Sequence, residues 1–274
     1  MQLYQKIILQ GTLECLTGLR VGAAKESVDI GGVDLPVVRR KDNDEPYIPG
    51  SSLKGKIRCL LEQAYGENFN NKFKNTRSAV CELFGALENK DESTKKEIAP
   101  STPSRLIVRD AYLEKKSAED LKALESTDMP YTEIKFENSI DRVKGTADHP
   151  RQIERIPAGA SFSVEMVINI FAAPDASKDQ ITEIKTKHLD TLRLGVELLN
   201  RDYLGGHGSR GYGQVDLQLA YEESKDDEKK DKDSIKPKFE VWDVADEVSK
   251  AKKKIENSAQ QASSKENPDS SANS

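Results

Sequence analysis

Hydrophobic and polar positions follow two periods along this chain. Ile7, Leu9, Leu13 and Cys15 alternate with Ile8, Gln10, Thr12 and Glu14, which predicts a long strand with one buried face. Gly11 inside it marks a candidate bulge. Phe162, Val164, Met166, Ile168 and Ile170 alternate with Ser161, Ser163, Glu165 and Asn169, the clearest strand pattern in the chain. Val215, Leu217 and Leu219 give a short last strand, and residues 105–113 read as one further core strand. Helical spacing occurs twice, at Leu53, Ile57, Leu60, Leu61 and Ala64, and at Ile181, Ile184, His188, Leu192, Val196 and Leu199. His188 falls on the apolar side and reads as a packed histidine rather than a ligand. The order strand, helix, strand, strand, helix, strand predicts an α+β fold with a ferredoxin-like (RRM-like) βαββαβ core. Such an open sheet often serves RNA, yet aromatic residues are missing from alternate strand positions, so base stacking on the sheet is not expected. Fold by itself does not set function.

Two stretches interrupt the core. Residues 67–104 form a helical and loop insertion with a charged run expected to be mobile over 88–101. Residues 114–160 form a second insertion. Within it 132–144 and 151–157 read as two extended arms, with 145–150 as the tip. This protruding β-hairpin, about 131–157, is poor in large apolar residues. It carries Lys135, Arg142, Lys144, Arg151 and Arg155 against Glu133, Glu137, Asp141 and Glu154. An element with so little apolar content projects to touch a partner or is a salt-bridged surface hairpin. Residues 1–221 thus make one domain with insertions, and 222–274 a charged tail, largely disordered by composition. Val241, Trp242, Val244, Val248 and Ile255 mark a short helix within that tail.

Composition narrows the function classes. The chain has 274 residues, 32% charged and 36% hydrophobic, with net charge −5. A basic signature for nucleic acid is therefore local or absent. Cys15, Cys59 and Cys81 have no metal-ligand spacing and are odd in number, which points to a reducing cytoplasm. No run is long and apolar enough to span a membrane.

Candidate chemistry concentrates between residues 29 and 58. Asp34 stands between Gly31-Gly32 and the apolar run Leu35 to Val38. Pro49-Gly50 turns the chain into a helix whose exposed amides Ser51 or Ser52 can cap. Lys54 and Arg58 lie one turn apart near that helix start, an arrangement suited to a phosphate or simply a solvated face. Arg20 is a lone cation between glycines, either a phosphate contact or ordinary surface. The loop from Gly205 to Gly213 is glycine-rich, so backbone amides such as that of Gly206 can approach a phosphate, with donors from His207, Ser209 and Arg210. It is neither a Walker loop nor a dinucleotide fingerprint. Asp110 lies toward the end of the second predicted strand as a turn former, a partner of Arg109, or catalytic support.

Three pieces in this order resemble one family. Tyr47-Ile-Pro-Gly-Ser-Ser-Leu-Lys-Gly-Lys-Ile-Arg58 resembles the helix-entry motif of RAMP proteins in CRISPR effector complexes. Glu137-Asn-Ser-Ile-Asp-Arg142 with Pro150-Arg-Gln-Ile-Glu-Arg155 resembles the thumb of the Csm backbone subunit, and Gly205 to Gly213 the RAMP glycine-rich loop. The resemblance covers residues 1–221 and is to the third subunit of type III-A (Csm) complexes. It implies several copies stacked along one CRISPR RNA beside other Csm subunits, with the thumb distorting the guide–target duplex at intervals. It also implies endonuclease cleavage of target RNA by a loop aspartate with Mg²⁺ or another divalent metal. Asp34 matches that aspartate, as catalytic residue and metal ligand. Lys54 and Arg58 match guide contacts, whereas Arg20 stands where some relatives carry histidine. Asp110, Glu133, Glu137 and Glu154 match acidic positions of less certain role. Arg142, Arg151 and Arg155 would meet RNA from the thumb. Other readings are a non-catalytic RNA-binding filament subunit, the equivalent subunit of a type III-B complex, and a CRISPR RNA-processing endonuclease. The last commonly uses an N-terminal histidine, whereas the histidines here are His149, His188 and His207.

Overall fold

A computed structural model of the chain describes residues 1–22, 33, 35–66, 78–86, 89–90, 97–99, 101–124, 129–220, 250, 252–254 and 257. Gly31, Gly32, Asp34, Val241, Trp242, Val244, Val248, Ile255 and most of 88–101 and 222–274 lie outside the described residues.

The strands are β1 (Gln2–Cys15), β2 (Tyr47–Ile48), β3 (Asn89–Lys90), β4 (Glu97–Ala99), β5 (Leu106–Val108), β6 (Ala111–Leu113), β7 (Glu133–Ile140), β8 (Ala147–Arg155), β9 (Ser161–Ala172) and β10 (Val215–Ala220). The helices are α1 (Gly50–Ala64), α2 (Ala79–Phe84), α3 (Lys115–Ala123) and α4 (Lys178–Asn200). The main sheet runs β10-β1-β9-β6-β2, with β5 also on β9 and every pair antiparallel. Leu9, Leu13, Phe162, Met166, Leu217 and Leu219 turn one sheet face inward beneath Leu53, Ile57, Leu61, Leu192, Val196 and Leu199 of α1 and α4. Burial of this apolar face supplies the main driving force for the fold. Ser177 and Gln180 form a reciprocal capping box that starts α4. His188 of α4 is fully buried, its Nε2 3.2 Å from Arg105 Nη1.

Three local expectations are corrected. Gly11 is not bulged: the β1 register shifts between Leu3 and Gln5. A Cβ at Gly11 would lie 1.8 Å from Gln218 O, so glycine there permits close pairing with β10. The run 105–113 is two strands, not one. Val108 pairs with Met166 and Tyr112 with Ser163, so four residue steps face three. The extra residue breaks the ladder and leaves Asp110 Oδ1 to accept from Gly50 N at 2.8 Å. The hairpin turn spans 141–146 rather than 145–150, because Asp141 Oδ1 accepts from Val143 N at 2.8 Å and Gly145 takes φ +68°. The helical part of the 67–104 insertion is the buried helix α2, whose Val80, Leu83 and Phe84 join the core, and a two-stranded ladder of β3 and β4 follows it.

Candidate functional site

The entry to α1 differs from its expected form. Pro49 precedes the first helical residue with no side-chain cap, and the hydroxyls of Ser51 and Ser52 are not used for capping. Asp110 takes that place from β6's side, accepting from Gly50 N. A carboxylate there satisfies an orphan amide and complements the positive helix end. Gly50 is required because a Cβ would lie 2.3 Å from Val108 O. Ser51 is exposed and Ser52 half-buried. Lys54 is not simply solvated. Its Nζ donates to Ser104 Oγ and to Leu106 O, each at 2.7 Å. Burial pushes its ammonium pKa down, and the neighbouring Arg58 charge adds to the shift. Arg58 Nε donates to Glu62 Oε1 at 2.6 Å.

The glycine-rich loop meets the hairpin through a charged network. Glu137 of β7 accepts from Tyr212 Oη at 2.7 Å and from Arg210 Nη1 at 2.9 Å. Burial alone would raise the Glu137 pKa, but those two bonds and the Lys135 and Arg210 charges hold it below the usual carboxylate range. Burial and the bond to Glu137 push the Tyr212 phenol up to about 12. Lys135 Nζ and Arg155 Cζ lie 4.4 and 5.2 Å from the Tyr212 ring centroid. Arg155 also pairs with Glu133 at 2.6 Å. His207 sits in the left-handed region at φ 64°, its Nδ1 3.0 Å from Arg210 Nη1. Burial, then Arg20 and Arg210, lowers its pKa.

Arg20 lies across this loop. Its carbonyl accepts from Gly206 N at 2.9 Å, and its Nε is buried without a hydrogen-bond partner. Burial lowers the guanidinium pKa. Most of the glycine content has an internal cause. Cβ atoms at Gly205, Gly208 and Gly213 would come within 2.1 Å of Arg20 O, the Tyr203 ring and Leu204 O respectively. The Gly206 position is open apart from Arg20 Nη1 at 3.1 Å, and at Gly211 nothing lies within 4 Å. Space is open at those two, but neither amide is free for a phosphate: Gly206 N donates to Arg20 O and Gly211 N to Gly208 O, which corrects the expected contact from the Gly206 amide. Beside them an open cleft of about 380 Å³ is lined by Glu137, Asn138, Ser139, Arg151 and Arg210. Arg142, Arg151, Ser209 and Arg210 are exposed. So are Phe136, Ile140 and Val143 of the outer hairpin, at 66%, 70% and 94%. The outer hairpin therefore packs on nothing within the described chain.

Glu154 is unlike the other acids, only 2% exposed. It accepts from Val37 N at 2.8 Å, Arg39 Nη2 at 2.6 Å and Thr132 Oγ1 at 2.7 Å. Its own main-chain N–H donates to Leu35 O at 3.2 Å. The structure thus gathers Arg20, Glu133, Glu137, Arg151, Arg155, Gly206, His207 and Arg210 around the hairpin base and glycine loop. Ser51, Ser52, Lys54, Arg58 and Asp110 gather at the α1 entry. Tyr212, Arg39 and Thr132 are functional positions that the sequence does not single out; only the place of Tyr212 within the glycine motif hints at a role. Among the described residues no group of three His, Cys, Asp or Glu side chains converges to hold a metal ion. Asp110, Glu133, Glu137 and Glu154 each accept from protein donors, and of the four Asp110 is exposed. No described helix is long and apolar enough to cross a membrane.

A family model described as the RAMP superfamily matches residues 12–216. A Methanocaldococcus jannaschii protein named CRISPR system Cms endoribonuclease Csm3 is 38% identical over 256 residues, spanning 89% of this chain and 94% of that one. A Streptococcus thermophilus protein of the same name is 39% identical over 212 residues, spanning 77% and 87%. A solved chain from a Csm3–Csm4 subcomplex of the type III-A CRISPR-Cas interference complex aligns over 81% of each chain, with 30% identity and TM-score 0.43.

Proposed function

The chain belongs to the RAMP superfamily, and from that premise we propose that it is the repeated backbone subunit of a type III-A CRISPR RNA-guided complex. It binds CRISPR RNA alongside further copies of itself and other Csm subunits, and it cleaves complementary target RNA. The observation that carries this reading is 38–39% identity to endoribonucleases over most of both chains. The geometry supports it. A cleft lined by Arg151 and Arg210 with Glu137, a glycine loop and a projecting hairpin meet at one place. They supply phosphate and shape contacts rather than base-edge readers, as expected where base pairing carries sequence specificity. We read the core, with β10-β1-β9-β5/β6 order beneath α1 and α4, as the ferredoxin-like βαββαβ arrangement. Residues 1–221 form the RAMP unit in this reading, with β7 and β8 as its thumb.

Asp34 is the proposed catalytic residue and the protein ligand for a divalent ion. The test is a complex assembled wholly from Asp34→Asn, which keeps side-chain shape and removes the charge. Guide and target binding stay within about twofold, while cleavage falls by orders of magnitude, and EDTA silences the wild type equally. Wild-type cutting by Asp34→Asn would overturn the catalytic assignment. It would also separate this reading from a non-catalytic filament subunit, whose RNA contacts would be the same.

A further inference from the structure

Glu154 grips the segment that follows Asp34 at alternate residues. Its main-chain N–H holds Leu35 O, one carboxylate oxygen holds Val37 N, and the other holds Arg39 Nη2. Arg39 also donates to Thr132 Oγ1 at 2.7 Å, and that hydroxyl donates to the same Glu154 oxygen. Next to Glu154, fully buried Ile153 bridges Leu35 in parallel. On its other side Glu154 pairs with Ile134 across the hairpin. One residue is therefore both a rung of the hairpin and a clamp on residues 35–39. A carboxylate this deeply buried is costly unless its geometry and partners are good. Here it faces a main-chain amide, a guanidinium and a hydroxyl, not the cleft.

We propose that Glu154 is a positioning residue that couples the hairpin to the chain emerging at Asp34. When the hairpin seats on RNA, the clamp transmits its position to Leu35, the residue after Asp34. This rests on the reading of Asp34 given above. It assigns Glu154 no contact with RNA or with the reacting atoms. Arg39, which sequence reading passed over, becomes part of the same device.

The test uses complexes in which every copy carries Glu154→Gln. Glutamine keeps the shape but offers one acceptor and one donor group, so it cannot accept from both Val37 N and Arg39. Small misplacements of reacting groups cost on the order of 10² in rate. The single-turnover cleavage rate at saturating target is therefore expected to fall by about that factor, with RNA affinity unchanged within about twofold. Amide exchange of 35–39 accelerates in parallel. Arg39→Met behaves likewise, and the double variant loses little more than the worse single one, as coupled residues do. Leu192→Ala, a core truncation away from the clamp, controls for lost stability and cleaves normally. Wild-type cleavage by Glu154→Gln and Arg39→Met would overturn the proposal, as would unchanged exchange of 35–39 or an affinity loss that tracks the rate. Activity retained by Asp34→Asn would instead remove the catalytic reading, and the exchange data would still decide whether the clamp exists.

Discussion

Replacing Lys54 and Arg58 together with alanine tests whether the entry of α1 touches RNA. Each phosphate neutralised contributes about 0.7 to the slope of log affinity against log salt for single strands and about 0.9 for duplex. Two lost contacts therefore lower the slope by about 1.4 to 1.8. Over a salt range of about 50 to 200 mM, wild-type affinity then falls roughly tenfold further than the variant's. The structure also sets what the fold loses. Lys54 spends two of its three donors on Ser104 Oγ and Leu106 O, leaving one for a phosphate. Leu106 O retains a bond from Ser104 Oγ at 3.0 Å, so losing Lys54 costs roughly 0.5–1.5 kcal/mol rather than a full orphaned carbonyl. The mostly buried Arg58–Glu62 pair, 25% and 13% exposed, adds about 1.5 kcal/mol for a charged hydrogen bond. That sum is below the roughly 5–15 kcal/mol of a typical domain, so the variant folds and the binding loss can be read separately. Fluorescence anisotropy with a labelled guide across the salt series measures the slope. An unchanged slope refutes the phosphate contact, whether affinity is retained or merely reduced uniformly.

Two further outcomes follow from the same geometry. Deleting residues 138–150 and joining Glu137 to Arg151, which face each other across the hairpin, through Asn-Gly keeps the base with Ile153 and Glu154. Guide binding then persists while cuts become weak or irregularly spaced, and normal evenly spaced cutting would refute the thumb assignment. His188 makes stability depend on pH, because burial, Arg105 and Lys187 lower its pKa from 6.5 to about 3. The folded state binds fewer protons than the unfolded one between these values. The His188 contribution is complete above 6.5 and is lost at about 1.4 kcal/mol per pH unit as pH falls toward 3. Urea melts of His188→Gln, whose amide oxygen can still accept from Arg105, show a shallower loss below pH 6.5 than wild type; parallel profiles would remove His188 as the cause.

Elements that bury one face were legible in the sequence. β1, β9, β10, α1 and α4 each carry a run of apolar residues at the right period, because the sheet has helices on one side and an open face on the other. The break between β5 and β6 was not legible. Its cause is a hydrogen bond from Gly50, sixty residues away, that no local pattern encodes. α3 escaped notice because its nine residues bury only Ser117 and Leu121. Glu154 was legible as an acid but not as a buried one. Alternation puts Ile153 and Glu154 on opposite hairpin faces, and both are buried only because residues 35–39 flank the hairpin base. The charge network was half legible: Arg210 and Glu137 stood out as charges, while Tyr212, which joins them, did not.

In the proposed reading the acidic residues also let a chain of net charge −5 offer cations to RNA. Each acid near the cleft lies on the protein side of a base and aims it. Glu137 holds Arg210 and Tyr212, and Glu133 holds Arg155. A guanidinium fixed in this way loses less side-chain entropy when a phosphate arrives than a free one would. The same arrangement orders the four acids as alternatives to Asp34. Glu154 is sealed from solvent and would need local unfolding to meet a phosphodiester, whereas Asp110 spends Oδ1 on the α1 amide but is exposed. Glu133 is tied to Arg155 and does not line the cleft, whereas Glu137 lines it and is held ionised. Both Glu137 oxygens already accept hydrogen bonds from Arg210 and Tyr212, so reacting would require breaking the network that orients the loop. That cost makes Glu137 better suited to aiming Arg210 than to chemistry, and leaves exposed Asp110, at the α1 entry, the acid with an oxygen to spare.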